Sequence, residues 1–175
     1  MKYNILIVDD EKDIRLSIKG LLEDEGYEVA LAKNSDEVLK SINSRVPDLI
    51  LLDIWLENSK LDGMELLNYI ISSFKNVPCI MISGHGNIDI AVKAIRSGAN
   101  DFIEKPFEAE RLLITVERVL ELSKLKKEHK ELWLRAGGDL KFIGESPHVK
   151  KIKNVLNKIA PTGSRVFITG ESGTG

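Results

Sequence analysis

The chain has 175 residues, of which 43% are hydrophobic and 30% charged, and a formal net charge of −2. That is room for one α/β domain and part of a second, with enough apolar content for a sizeable core. The near-neutral balance excludes a general attraction to nucleic acid or to an anionic membrane. A single cysteine, Cys79, lies in the apolar run Pro78 to Ile82, which excludes a disulfide framework and points to a core position in a reducing compartment. The chain opens on Met1-Lys2-Tyr3-Asn4 and enters a short apolar strand without the longer apolar region of a signal peptide. No run approaches the ~18 apolar residues of a membrane span. The expectation is a cytoplasmic protein with no membrane partner.

Five short apolar runs recur along the first 105 residues: Tyr3 to Val8, Glu28 to Ala32, Leu49 to Leu52, Cys79 to Ile82 and Asp101 to Ile103. Each has strand length. Between them lie residues at helical spacing: Ile14, Ile18, Leu21 and Leu22; then Leu67, Ile70, Ile71 and Phe74; then Ile88, Ala91, Val92 and Ile95. Each set predicts a helix that buries one stripe. Gly26 and Gly98 can close helices in the left-handed conformation, and Asn34 with Glu37, like Asp62 with Glu65, has capping-box spacing. Strands apolar on both faces and separated by amphipathic helices imply a parallel sheet covered on two sides. The fold class is therefore α/β: a doubly wound, flavodoxin-like (βα)₅ unit over residues 1–121, with 2-1-3-4-5 adopted as the common strand order.

Polar side chains follow four of the five runs: Asp9 and Asp10 the first, Asp53 the third, Ser83 the fourth and Lys105 the fifth. The carboxyl ends of parallel strands share one edge, and for this strand order the ligand crevice lies between the first and third strands. Three converging carboxylates repel one another unless protons or a cation relieve the charge. Mg²⁺ suits them, because it takes oxygen ligands, needs only one or two carboxylates and completes its shell with water, carbonyl and phosphate oxygens. Asp10 and Asp53 are expected to bind directly and Asp9 to hold a metal-bound water. Lys105 offers a point charge suited to phosphate, and Ser83 a hydroxyl that can donate to a phosphoryl oxygen. Together these parts fit attack by the Asp53 carboxylate on phosphorus, giving a transient acyl phosphate. Taken singly, each has an ordinary explanation. Asp9 and Asp10 could cap the helix starting near Lys12, Asp53 and Ser83-Gly84 could be loop residues, Lys105 could be solvated surface, and Phe102 could be a core aromatic.

In order and spacing, Ile5 to Glu11, Leu51 to Asp53, Ile82 to Gly84 and Gly98 to Phe107 resemble the four signature blocks of response-regulator receiver domains. The resemblance covers residues 1–121. It implies Asp53 as phosphoacceptor from a sensor histidine kinase, Asp9 and Asp10 as the acidic pocket, Ser83 as the switch hydroxyl, Lys105 as the phosphate-binding lysine and Phe102 as the switch aromatic. It also implies that the backbone carbonyl of Trp55 completes the metal shell and that the Lys105–Pro106 bond is cis. One stretch departs from the family pattern. Ile54 to Gly63 lacks the usual proline and is two residues longer, similar in this to NtrX-type regulators of the NtrC class. Trp55 and His85 stand where they could affect access of water to the acyl phosphate.

Leu112, Leu113, Val116, Val119 and Leu120 give a fifth helix its stripe, after which Glu121 to Arg135 is charged and retains Leu122, Leu125 and Leu132. Residues 122–140 read as a helical linker, either a solvated connection or a dimer contact, broken by Gly137-Gly138-Asp139. Residues 141–175 resemble the start of the AAA+ ATPase domain of sigma-54 activators. Gly170, Glu171, Ser172, Gly173, Thr174 and Gly175 match the first six positions of a Walker A loop and follow an expected strand, Val166 to Thr169. Residues 137–175 are expected to be poorly ordered or partly folded, with ATP a cofactor of the full-length parent only.

The resemblance thus implies a switch. Phosphorylation draws Ser83 inward, Phe102 follows, and the face made by the fourth helix, fifth strand and fifth helix changes shape to control homodimerisation. In the parent it would control an ATPase acting on RNA polymerase with sigma-54 at DNA, through domains beyond this chain. Two other classes stay open at this point. A Mg²⁺-dependent phosphohydrolase with an aspartate nucleophile would need a second catalytic Asp and a substrate cap, and a phosphorylation-independent interaction domain would lack Mg²⁺ affinity.

Overall fold

Every second residue of the apolar runs faces the same way, and in the computed structural model, which describes residues 2–74, 76–84, 88–135, 144–163 and 165–170, that alternation builds two cores. The strands are β1 (Asn4–Val8), β2 (Glu28–Ala32), β3 (Leu49–Asp53), β4 (Cys79–Ser83) and β5 (Asp101–Glu104). They pair in parallel in the order β2-β1-β3-β4-β5. The expected doubly wound order is the observed one. The helices are α1 (Lys12–Asp24), α2 (Ser35–Ser44), α3 (Gly63–Ser73), α4 (Ile88–Arg96), α5 (Ala109–Arg135) and α6 (Pro147–Ile159).

Leu6, Val8, Ile50, Leu52, Cys79 and Met81 point to one side, against Val38 and Ile42 of α2, Leu66, Leu67 and Ile70 of α3, and Ala94 of α4. Ile5, Ile7, Leu49, Leu51, Ile80 and Ile82 point to the other, against Ile18 and Leu22 of α1 and Leu112, Val116 and Leu120 of α5. Each fully buried Leu or Ile contributes about 1.5–3 kcal/mol. The three middle strands are buried along their whole length, which explains their unbroken apolar sequences.

Local signals act largely as expected. Gly26 and Gly98 adopt φ +86° and +104°, and Asp62 and Glu65 form a complete capping box at α3. At α2 only half of the box forms: Asn34 accepts from the Glu37 N–H, while the Glu37 carboxylate reaches one residue further back, to the Lys33 N–H. The α4 stripe is a correction. Ile88, Val92 and Ile95 are exposed rather than buried, and Ala94 is the residue in the core. A small side chain lets the helix lie close to the sheet, so the face that carries Ala94 turns inward and the bulkier apolar face turns out.

The chain divides into two units, Met1–His129 and Lys130–Gly175. Helix α5 does not break at residue 121 but continues to Arg135, with Leu122, Leu125 and Leu132 exposed. The Gly137-Gly138-Asp139 break lies outside the described residues. In the second unit, α6 is capped by the Ser146 side chain with Pro147 at its first turn. The expected strand Val166 to Thr169 does not form: Arg165 to Gly170 belongs to no strand, and Phe167 is 91% exposed. A strand requires a hydrogen-bonded neighbour, and no described segment pairs with this one.

Candidate phosphoacceptor site

Parallel pairing of β1, β3 and β4 brings their carboxyl ends side by side, with Val8 opposite Leu52 and Asp53 opposite Ile82. Asp9, just past β1, is 1% exposed, and Asp53, the last residue of β3, is 4% exposed. One carboxylate oxygen each from Asp9, Asp10 and Asp53 lies within 4.8 Å of the others. Lys105, just past β5, reaches back across the sheet so that Nζ donates to Asp9 Oδ2 at 2.7 Å and to Asp53 Oδ2 at 2.9 Å. Glu11, more exposed, stands 3.9 Å from the same ammonium. The four residues expected to converge do so.

Ser83 ends β4, is fully buried, and its carbonyl accepts the Lys105 N–H at 2.7 Å. Phe102 lies in β5 opposite Met81, partly buried against the core on that side, so the core-aromatic reading describes its present position. The Lys105–Pro106 bond is cis. The Trp55 side chain is exposed, while its N–H donates to Asp53 Oδ1 at 3.4 Å. His85 lies outside the described residues. Gly170 ends the segment 165–170, which belongs to no helix or strand, and Glu171, Ser172, Gly173, Thr174 and Gly175 lie outside the described residues.

The longer connection from β3 to α3 is pinned at both ends. Ile54 and Leu56 are buried; further on, Ser59 Oγ accepts the Ser35 N–H at 2.9 Å and Lys60 pairs with Asp36 at 3.1 Å, which ties the loop to the first turn of α2. Asn58 takes φ +53°, which asparagine tolerates better than most residues. Gly63 is required where the loop turns into α3: a Cβ there would stand 2.0 Å from the Asp53 carbonyl oxygen. These couplings run between segments far apart in sequence and carry no local signal.

Burial pushes the Asp53 carboxyl above its ordinary range, and Asp9 adds to the rise; the Lys105 ammonium and the Trp55 N–H oppose it without cancelling it. At Lys105 burial acts downward and is the largest single influence, but hydrogen bonds and attraction from Asp9 and Asp53 together hold its pKa above the ordinary value. Three carboxylates against one ammonium leave a formal charge of −2, which one divalent cation balances. The donor set of close-spaced oxygens, open on the Asp10 side, suits a hard cation such as Mg²⁺. Beside it, a cleft of about 610 Å³ opens between α1 and the segment after β5, lined by Ile14, Ser17, Ile18, Lys105, Pro106 and Phe107 among others.

Sequence reasoning did not single out Arg15, whose guanidinium donates to the Asp9 carbonyl. The only signal available was its place one turn into the helix that follows the paired acids.

A parallel five-stranded sheet of this order with paired acids, a central aspartate, a hydroxyl and a lysine on one edge defines a signalling module of the receiver type. Residues 5–117 match the family described as the response regulator receiver domain, and the chain belongs to that family. The nitrogen assimilation regulatory protein NtrX of Azorhizobium caulinodans is 47% identical over 175 residues, covering 100% of this chain and 38% of that protein. A crystal structure of NtrX from Brucella abortus is 48% identical with a TM-score of 0.79, over 95% of this chain and 36% of that one. The solution structure of the beryllofluoride-activated NtrC4 receiver domain dimer is 39% identical with a TM-score of 0.64, over 69% of this chain and 98% of that one. The chain spans little more than a third of the curated relatives it matches. Family membership does not favour the phosphohydrolase or the phosphorylation-independent reading. Among the described residues no helix is long and apolar enough to cross a membrane.

Proposed function

We propose that this chain is a phosphorylation switch in which Asp53 accepts a phosphoryl group from the phosphohistidine of a sensor kinase. The observation that carries the reading is the double ion pair of Lys105 with Asp9 and Asp53, at 2.7 and 2.9 Å, inside a cluster of three carboxylates. A carboxylate oxygen of Asp53 attacks phosphorus, the P–N bond breaks, the imidazole leaves with its electron pair, and an acyl phosphate forms. Lys105 then exchanges a carboxylate partner for a phosphoryl oxygen, and the Ser83 hydroxyl donates to another. Asp10, Asp53 and the Trp55 carbonyl would hold Mg²⁺ directly and Asp9 through water; the ion supplies neutralisation of charge on the phosphoryl oxygens. The same machinery would accept small acyl phosphates and later release phosphate to water.

The cleft beside Lys105, the ion-pair partner of Asp53, offers the kinase an apolar floor at Ile14, Ile18 and Phe107. Motion of Ser83 and Phe102 would reshape the face of α4, β5 and α5, where exposed Ile88, Val92 and Ile95 fit a second copy of the chain. We assign residues 1–121 to the receiver, 122–140 to a linker and 141–175 to the start of an ATPase domain with Gly170 to Gly175 as its partial Walker A loop. In a longer parent, located in the cytoplasm, the switch would control that ATPase, sigma-54 polymerase and DNA binding. Incubation with acetyl phosphate and Mg²⁺ followed by intact mass measurement tests the reading: the chain gains one phosphoryl mass, and Asp53→Asn does not. Undiminished labelling of the variant would refute it.

A further inference from the structure

All four polar groups of Asp9 are engaged. Its N–H donates to the Ala32 carbonyl at 3.2 Å, Oδ1 accepts the Glu11 N–H at 2.8 Å, Oδ2 accepts from Lys105 at 2.7 Å, and its carbonyl accepts from Arg15 Nη1. The last contact differs from the others in what it controls. The Asp9 carbonyl and the Asp10 nitrogen belong to one planar peptide unit, so holding that oxygen sets the plane from which Asp10 departs. Arg15 is itself seated in α1, where its N–H donates to the Glu11 carbonyl at 3.1 Å.

We infer that Arg15 is a positioning residue for the acidic pair: its side chain locks the peptide joining Asp9 to Asp10 so that both carboxylates face Asp53. The inference rests on the cation-site reading above. Positioning and simple electrostatics give effects of opposite sign. A guanidinium near the pocket repels an approaching cation, so by charge alone its removal strengthens Mg²⁺ binding. As a positioning group, its removal weakens binding, because Asp10 is no longer pre-oriented.

Calorimetric titration of the whole chain with MgCl₂ separates the two. Arg15→Met is expected to weaken Mg²⁺ binding about tenfold, the low end for loss of an outer-shell partner. Arg15→Lys, which keeps a donor and the charge, is expected to restore most of that loss. Circular dichroism in EDTA reports on the fold independently, and if Arg15→Met loses its native spectrum, Arg15→Gln replaces it in the comparison. Equal or tighter binding by the uncharged variant, or failure of Arg15→Lys to recover affinity, overturns the inference. A wild-type chain that takes up no Mg²⁺ instead overturns the cation-site reading, so the two failures are distinguishable.

Discussion

Helices α3 and α6 begin in the same way. Asp62 caps the first and Ser146 the second, each accepting an N–H from three residues on, and each helix carries apolar residues at helical spacing. Yet α3 buries Leu66, Leu67 and Ile70 completely, while no residue of α6 is buried. Capping and amphipathic spacing are local properties and suffice to form a helix. Burial needs a partner surface, which the sheet gives α3. Stability should therefore reside in the first unit, and the second should add little to it.

Substitution of one apolar residue in each unit gives the largest test of that contrast. Leu51→Ala, in the centre of β3, is expected to cost about 2–5 kcal/mol in denaturant unfolding, because it leaves a cavity between two packed layers. Ile152→Ala in α6 is expected to change the same transition by less than about 0.5 kcal/mol. Comparable losses at the two sites would erase the distinction between the units. Next in size is Gly63→Ala, where the added methyl meets the main chain of Asp53 and Ile54. Backbone cannot swing aside as a side chain can, so a loss of about 1–3 kcal/mol is expected, with slower acetyl-phosphate labelling because the displaced group carries the proposed phosphoacceptor. Wild-type stability and labelling rate in this variant would show that the α3 start is not fitted to the site.

The smallest effect concerns Cys79, fully buried in β4, whose thiol burial pushes far above the ordinary range. The native state keeps the thiol protonated while the unfolded chain ionises near its ordinary pKa of about 8.5. Its contribution is thus complete below that pH and is lost progressively above it. Between pH 8 and 9.5 the wild type is expected to lose about 1 kcal/mol more than Cys79→Ala, a difference that cancels the alkaline response of Tyr27 common to both. Parallel stability curves for the two proteins would place the thiol in contact with water.

The strands were legible because buried parallel strands leave near-continuous apolar runs; the observed ends differ from the expected ones by about one residue, at Tyr3, Asp53, Ser83 and Glu104. The cluster of Asp9, Asp10, Asp53 and Lys105 was legible for a related reason, since strand ends in a parallel sheet must share an edge. What escaped depends on meetings that no local pattern announces. Ser59 finds Ser35 across 24 residues, and Arg15 curls back to a carbonyl six positions earlier. The α4 stripe misled because Ile88, Val92 and Ile95 make a better apolar row than the residues around Ala94, and spacing cannot say which of two rows the sheet accepts. Segment 166–169 has strand composition but finds no pairing neighbour among the described residues. Helix α6 could have been foreseen from Ser146-Pro147 and the spacing of Val149, Ile152, Leu156 and Ile159.

Lys105 stands after an edge strand, yet its ammonium rests on Asp53, the last residue of the central strand β3, and on Asp9, just past the neighbouring β1 and 96 residues away in sequence. That bond works as a guy-line from the margin of the sheet to its centre. Slackening it by drawing the ammonium toward any new anion leaves Asp9 and Asp53 facing each other without their shared counter-charge. The margin therefore feels an exchange of one ionic contact at the centre directly, through a single side chain, with no relay of packed residues in between.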